Sequence, residues 1–137
     1  TTALPPAACA ASLAGLTLIQ EDTSPIDKLW ENVRYLKSQL SEFISNISAE
    51  SPIIPIIIGS AEDALNLSTR LYENGILIPA IRPPTVPLGT SRLRISLMAT
   101  HSKEDINRLI DTLKAIGFFV TVHLTAENAK IAEVVKE

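Results

Sequence analysis

Cysteine is scarce in this chain of 137 residues, which contains only Cys9. A single cysteine excludes a disulfide framework and any metal site built from several cysteines. Cys9 stands among alanines in a segment rich in helix-forming residues, so we predict a small buried apolar side chain. Histidine is also rare: His101 and His123 have no second base or metal ligand at a suitable spacing, and we expect His101 to serve a turn before a helix.

The chain also lacks a strong net charge and a long apolar run. Its formal net charge of -3 gives no reason to expect nucleic acid or an anionic membrane as a partner. No apolar run approaches the roughly 20 residues of a membrane-spanning helix, and no basic stretch precedes the alanine-rich start. We therefore predict a cytoplasmic protein, and the start on Thr1-Thr2 without Met suggests a piece of a larger one.

Hydrophobic periodicity divides the chain into three regions. Residues 1–22 carry an alanine- and leucine-rich helix that begins near Pro5-Pro6. Residues 23–50 place apolar side chains every three or four positions, which predicts a long helix reaching about Ile47. Residues 51–137 give strand and helix patterns in the order β-α-β-β-α up to Gly117. We predict an α+β fold, with a short, mostly antiparallel sheet and its helices on one face.

Turn and cap residues mark the elements of the third region. The β-branched run from Ile53 to Ile58 predicts a strand, and Pro55 predicts that it is an edge strand or carries a bulge. A serine followed by acidic residues opens each of the next two helices, and a glycine closes each. These four residues are Ser60, Gly75, Ser102 and Gly117.

The most distinctive stretch runs from Ile81 to Ser96. Its prolines fix φ and remove N–H donors, so residues 82–87 form a stiff loop. Beyond the loop, apolar residues alternate with Arg92, Arg94 and Ser96, which is the period of a strand with one buried face. Such a loop can aim Arg82 and Thr85 at an anion. The residues alone leave open a plain structural connector with a solvated arginine.

The stretch from Ala80 to Leu97 resembles the C-terminal signature of the α-oxoamine synthases, fold-type-I enzymes that use pyridoxal phosphate (PLP). Its Arg-Pro-Pro-Thr-Val-Pro run is similar to that of the 8-amino-7-oxononanoate synthases of biotin biosynthesis. The resemblance extends over most of the chain but excludes the tail after Gly117. It implies that residues 1–22 are a remnant of a large PLP-binding domain. Residues 23–50 would be an interdomain helix, and residues 51–137 the small C-terminal domain.

The resemblance also implies a reaction and four site residues. The parent enzyme would be a homodimer that condenses L-alanine with pimeloyl-CoA or pimeloyl-acyl-carrier protein and releases carbon dioxide. Arg82 would bind the amino-acid carboxylate, and Thr85 would contact the substrate. Thr1 and Thr2 would reach the PLP phosphate in the partner subunit's site.

PLP enzymes of this kind need a lysine for the Schiff base. None of the lysines here stands in a Ser/Thr- and Gly-rich turn like the one that carries the family's catalytic lysine: Lys28, Lys37, Lys103, Lys114, Lys130 and Lys136. We therefore expect no catalytic residue on this chain, no PLP bound to it alone, no metal, and no activity without its parent. Two other interpretations stay open: a sister synthase that uses glycine or serine, and a non-catalytic α+β binding or dimerisation module.

Overall fold

The structure is a computed structural model, and it describes residues 3–44, 47 and 50–118. The described residues form four helices and three strands in the following order: α1 (Pro6–Glu21), α2 (Ser24–Leu40), β1 (Ile53–Gly59), α3 (Ala61–Glu73), β2 (Ala80–Ile81), β3 (Ser91–Ser96) and α4 (Lys103–Ala115). From β1 onward the order is β-α-β-β-α, which confirms the prediction.

The three strands form one antiparallel sheet in the order β1-β3-β2. Ile54 lies opposite Ile95 and Ile56 opposite Leu93, so the buried side chains of neighbouring strands share one face. On the other face Ile57 stands beside Arg92, and Ile57 is about half exposed. This alternation is what the sequence predicts for a sheet with one buried face.

Helices α2, α3 and α4 form one core with the buried face of the sheet. Helix α3 contacts all three strands, and α4 packs against α2. Each of these three helices contributes an apolar stripe to the core; the members are Val33, Leu36, Leu40, Ala64, Leu67, Leu71, Ile106, Leu109, Ile110 and Leu113. The α+β prediction, with a short antiparallel sheet and helices on one face, is confirmed.

The predicted helix caps are present. The Ser60 hydroxyl accepts a hydrogen bond from the Asp63 N–H at 3.3 Å. Ser102 and Asp105 form a reciprocal capping box, which satisfies N–H groups at the start of α4. Gly75 follows α3 at a φ of 76°, a conformation that favours glycine. The predictions for these residues are therefore confirmed.

Strand β1 lies at one edge of the described sheet, as Pro55 predicts. The Leu97 N–H donates to the Pro52 carbonyl, so residues 52 and 97 form a hydrogen-bonded pair. Hydrogen-bonded and non-hydrogen-bonded pairs alternate along an antiparallel ladder, so the backbone nitrogen of Pro55, which has no hydrogen to donate, faces away from β3. The irregularity in the strand falls between Ile57 and Gly59 rather than at the proline.

Helix α2 is shorter than its apolar pattern predicts. It ends at Leu40, and Ile47 is not helical, so the predicted extension to Ile47 is wrong. In its last turn the Ser38 hydroxyl donates to the Tyr35 carbonyl, and the Ser41 hydroxyl donates to the Ser38 carbonyl. Side-chain hydrogen bonds of this kind to backbone carbonyls compete with further helical hydrogen bonds. Apolar periodicity does not detect them, because it indicates only which residues are buried.

Helix α1 has no buried residue. Cys9 is therefore exposed, and the prediction of a buried side chain is wrong, because no described element covers this helix. The Asp22 carboxylate accepts hydrogen bonds from the Ser24 N–H at 2.8 Å and the Ser24 hydroxyl at 2.9 Å, which orders the junction with α2. The division into regions 1–22, 23–50 and 51–137 stays a prediction.

Candidate functional site

Arg82 stands at the point where the sheet gives way to a loop. Its predecessor Ile81 ends β2 and lies opposite Arg92 of β3. The Arg82 side chain is exposed, and it makes no hydrogen bond or ion pair with another residue that the structure describes. The Arg82 backbone is thus fixed between a paired sheet residue and a stiff loop. Its guanidinium forms no hydrogen bond or ion pair with a described residue.

The proline loop, residues 82–90, begins with a turn that joins the two predicted substrate-binding residues. The Thr85 N–H donates a hydrogen bond to the Arg82 carbonyl at 3.1 Å. The peptide bond between Pro83 and Pro84, inside this turn, is cis. Thr85 is exposed like Arg82, so the structure brings these two residues together on one open turn.

The far end of the proline loop is closed by hydrogen bonds around Thr90. The Thr90 N–H and hydroxyl both donate to the Pro87 carbonyl, at 3.2 and 2.8 Å. The Arg92 Nε–H donates to the Thr90 carbonyl at 3.0 Å. Gly89 has a φ of 76°, which lets the chain reverse without steric strain from a Cβ atom.

The ion pairs of the described residues lie elsewhere. Lys28 and Lys103 each approach the Glu31 carboxylate at 3.2 Å. Lys28 chiefly, and then Lys103, lowers the pKa of Glu31 from its ordinary value. Because no described carboxylate engages Arg82, its planar fork can take up an external carboxylate in two parallel hydrogen bonds.

A cavity of about 540 Å³ lies between residues 75–79, the end of β3 and α4, and neither Arg82 nor Thr85 lines it. Arg94 does line it, and its side chain makes no hydrogen bond or ion pair with a described residue, whereas three other polar residues of the lining have partners. His101 Nδ1 accepts from the Met98 N–H, the Asp105 carboxylate caps α4, and Arg108 donates to the Asn74 carbonyl. His101 is thus a turn residue, as expected.

Asn32 is a residue that the sequence reasoning missed. It is fully buried in α2, and its Nδ2 donates to the carbonyls of Met98 at 3.0 Å and His101 at 2.8 Å. It therefore fixes the turn that follows β3. The sequence feature that could have identified Asn32 is its position, since it is an amide among the apolar residues of an amphipathic helix.

The described residues include four lysines, the residue type that a PLP site needs for its Schiff base. Their lysines lie on α2 and α4, where Lys28 and Lys103 pair with Glu31 and Lys114 lies over the Phe43 ring. None stands in the proline loop or lines the cavity. Thr1, Thr2 and His123 lie outside the described residues, so their roles stay predictions.

Two further features are absent from the described part of the chain. No helix there is long and apolar enough to cross a membrane. Within the same residues, no three His, Cys, Asp or Glu side chains are grouped so as to hold a metal ion.

The sequence profile of the family described as aminotransferase class I and II matches residues 1–113. The chain belongs to this family. The match includes β1, α3, β2, the proline loop, β3 and most of α4, so the candidate site lies wholly within the shared region.

Proteins named 8-amino-7-oxononanoate synthase are among the relatives of this family member. The chain is 47% identical over 116 residues to the one from Maricaulis maris, and 44% identical over 118 residues to the one from Lysinibacillus sphaericus. Each alignment covers 85% of the chain. The chain spans only about 30% of the length of these relatives.

Solved structures in the same fold-type-I group share the architecture. A structure of SPT (serine palmitoyltransferase) with PLP superimposes with a TM-score of 0.80 at 26% identity, covering 89% of this chain and 31% of that one. The 8-amino-7-oxononanoate synthase of Francisella tularensis gives a TM-score of 0.70 at 26% identity, covering 85% of this chain and 35% of that one. The predicted fold of a small C-terminal domain from a fold-type-I PLP enzyme is confirmed.

Proposed function

We propose that this chain is the C-terminal portion of an 8-amino-7-oxononanoate synthase. The complete enzyme would be a PLP-dependent acyltransferase that condenses a pimeloyl thioester with L-alanine and releases carbon dioxide. The observation that carries the proposal is Arg82, an exposed guanidinium without a described partner at the mouth of a hydrogen-bonded loop. The relatives at 41–47% identity support the choice of reaction.

In this proposal the chain's own residues bind and orient the amino acid. Arg82 takes the alanine carboxylate in a bidentate pair, which fixes the direction of the bonds at the α-carbon. Thr85 contacts the same substrate from the other end of the turn. Holding a reactant in one orientation removes much of the entropic cost of reaction, so a binding residue of this kind contributes to rate as well as to affinity.

In this proposal the cofactor and the reacting lysine belong to parts of the complete enzyme outside the residues that the structure describes. PLP supplies the electron sink of the reaction when bound in the complete enzyme. Thr1 and Thr2 would contact its phosphate from the partner subunit of a homodimer. The proposal therefore expects the 137-residue chain alone to be inactive, and the complete enzyme to work in the cytoplasm.

A sister synthase is the second candidate, because the SPT structure gives the higher TM-score, 0.80 against 0.70. The curated relatives favour the first, since proteins named 8-amino-7-oxononanoate synthase reach 41–47% identity, whereas the two solved structures do not separate the candidates, each being 26% identical. The two candidates differ in the amino acid that Arg82 would hold, which is alanine in the first and serine in the second.

An assay of the complete enzyme tests the proposal. Carbon dioxide release is measured with L-alanine, glycine or L-serine, each with pimeloyl-CoA and with pimeloyl-acyl-carrier protein. We expect turnover with L-alanine and a clear preference for one thioester carrier. Turnover confined to serine or glycine would assign a sister synthase instead, and no turnover with any pair would overturn the proposed reaction.

A further inference from the structure

Arg92 contacts both ends of the proline loop. Its backbone pairs with Ile81, the residue directly before Arg82. Its side chain reaches the other end, where Nε donates to the Thr90 carbonyl at 3.0 Å. One residue of β3 thus ties the entry of the loop to its exit.

The arrangement at Arg92 differs from that of its neighbour Arg94 on the same face of β3. Arg92 is half-buried, whereas Arg94 is exposed and its side chain makes no hydrogen bond or ion pair with a described residue. The Arg94 backbone does pair across the sheet, through its N–H and the Pro79 carbonyl at 3.1 Å. The two arginines therefore share a strand and a face but differ in whether the side chain closes the loop.

We propose that Arg92 is a positioning residue that closes the base of the proline loop and thereby sets the direction of the Arg82 side chain. The first half of this inference concerns the loop alone, and the second half rests on the proposed function of Arg82. The loop has an internal bond at each end, Thr85 to Arg82 and Thr90 to Pro87; among the described residues Arg92 reaches both ends, through its backbone pairing with Ile81 and its side-chain bond to the Thr90 carbonyl.

Lysine cannot replace arginine in this role. The Arg92 bond uses Nε, a donor held in the rigid guanidinium plane part-way along the side chain. Lysine has its only donor at the tip of a flexible stem. An Arg92→Lys protein therefore keeps the charge and most of the length but loses the donor at this position.

Amide hydrogen exchange measured by NMR on the 137-residue chain tests the positioning. In Arg92→Lys we expect the Thr85 and Thr90 amides to exchange about 2 to 10 times faster, as befits the loss of one modest hydrogen bond. The matched control, Arg94→Lys, should leave both rates unchanged. The Leu93 and Ile95 amides of β3 report whether the sheet itself remains intact, and they should exchange as before.

Two results would overturn the positioning role. Unchanged loop amides in Arg92→Lys would show that the side chain does not close the loop. Equal acceleration of the loop and of the β3 amides would show a general structural role instead.

Kinetics of the complete enzyme test the second half separately. Arg92→Lys should raise the KM for L-alanine several-fold, because a less well directed Arg82 holds the amino-acid carboxylate less tightly. An unchanged KM beside faster loop amides would overturn the link to Arg82 but not the closure of the loop. If Arg82→Ala itself leaves the KM unchanged, the proposed function fails, whatever the exchange data show.

Discussion

The backbone N–H of Thr85 donates a hydrogen bond to the carbonyl oxygen of Arg82 at 3.1 Å. The two residues assigned to the substrate are thus the first and last of a single turn. Their relative position depends on backbone geometry and not on the packing of long side chains. The backbone at both residues would therefore need little rearrangement on binding, whereas the exposed Arg82 side chain would still lose rotamer freedom.

Replacing Arg82 by alanine in the complete enzyme should raise the KM for L-alanine about 10- to 100-fold. A hydrogen bond to a charged group contributes about 1.5–3 kcal/mol, and each 1.4 kcal/mol is about a factor of ten. Steady-state kinetics provide the measurement. Arg70→Ala is a matched control, because Arg70 is exposed on α3 and its side chain makes no hydrogen bond or ion pair with a described residue. A KM that moves equally in both proteins would contradict the role of Arg82.

Replacing Asn32 by alanine should destabilise the chain by about 1–3 kcal/mol. The change removes the donor that two carbonyls, of Met98 and His101, share in the interior. Urea unfolding of the 137-residue chain gives the free energy. Asn66→Ala, at an exposed position of α3, should stay within about 0.5 kcal/mol of the original chain. Equal losses in the two variants would mean that the tie to the turn contributes nothing.

The capping box of α4 predicts a pH dependence of stability. The Ser102 N–H, and then the Ser102 hydroxyl, lowers the pKa of Asp105 from its ordinary value. A carboxyl with a lowered folded-state pKa stabilises the fold fully above its unfolded pKa, at about pH 4. That contribution is lost as the pH falls through the folded-state pKa. Asp105→Asn should therefore flatten the fall in stability below about pH 4.

Unfolding by urea at several pH values measures this slope. Asp111→Asn is the control, since Asp111 is exposed on the same helix and makes no hydrogen bond or ion pair with a described residue. Its profile should keep the steep fall of the original chain. Parallel profiles for Asp105→Asn and the original chain would argue against a contribution from the capping box.

Deleting residues 1–22 should leave the thermal midpoint of the chain nearly unchanged. Helix α1 contains Leu13, Leu16 and Leu18, each more than 60% exposed, and it has no buried residue. Removing it therefore takes no apolar contact from the core. Calorimetry measures the midpoint, and Leu36→Ala in α2 is the contrasting variant, with an expected cost of about 2–5 kcal/mol. A large drop on deletion would show that α1 contacts the core.

Much of the fold follows from local sequence rules. The caps at Ser60 and Ser102 and the helix end at Gly75 are properties of a few neighbouring residues, so the sequence predicts them directly. The alternation along β3 likewise identifies its buried face. Each of these features depends on chemistry within about one turn or one strand.

The features that the sequence did not predict depend on distant partners. Asn32 and Met98 are separated by 66 positions, and the sequence around Asn32 does not indicate which carbonyl accepts its hydrogen bond. Cys9 was predicted to be buried because its neighbours are apolar, but burial also needs a second surface, and the described chain provides none for α1. The roles of Arg82, Thr85, Thr1 and Thr2 follow from the resemblance and remain to be tested.

The central place of β3 in the sheet has a consequence for unfolding. β3 pairs with β1 on one side and with β2, which leads into Arg82, on the other. The proline loop thus connects β2, a short edge strand, to β3, the central strand of the described sheet. Thermal melting followed at the loop should coincide with melting followed at the core, so heat would abolish substrate capture and tertiary structure in one cooperative step.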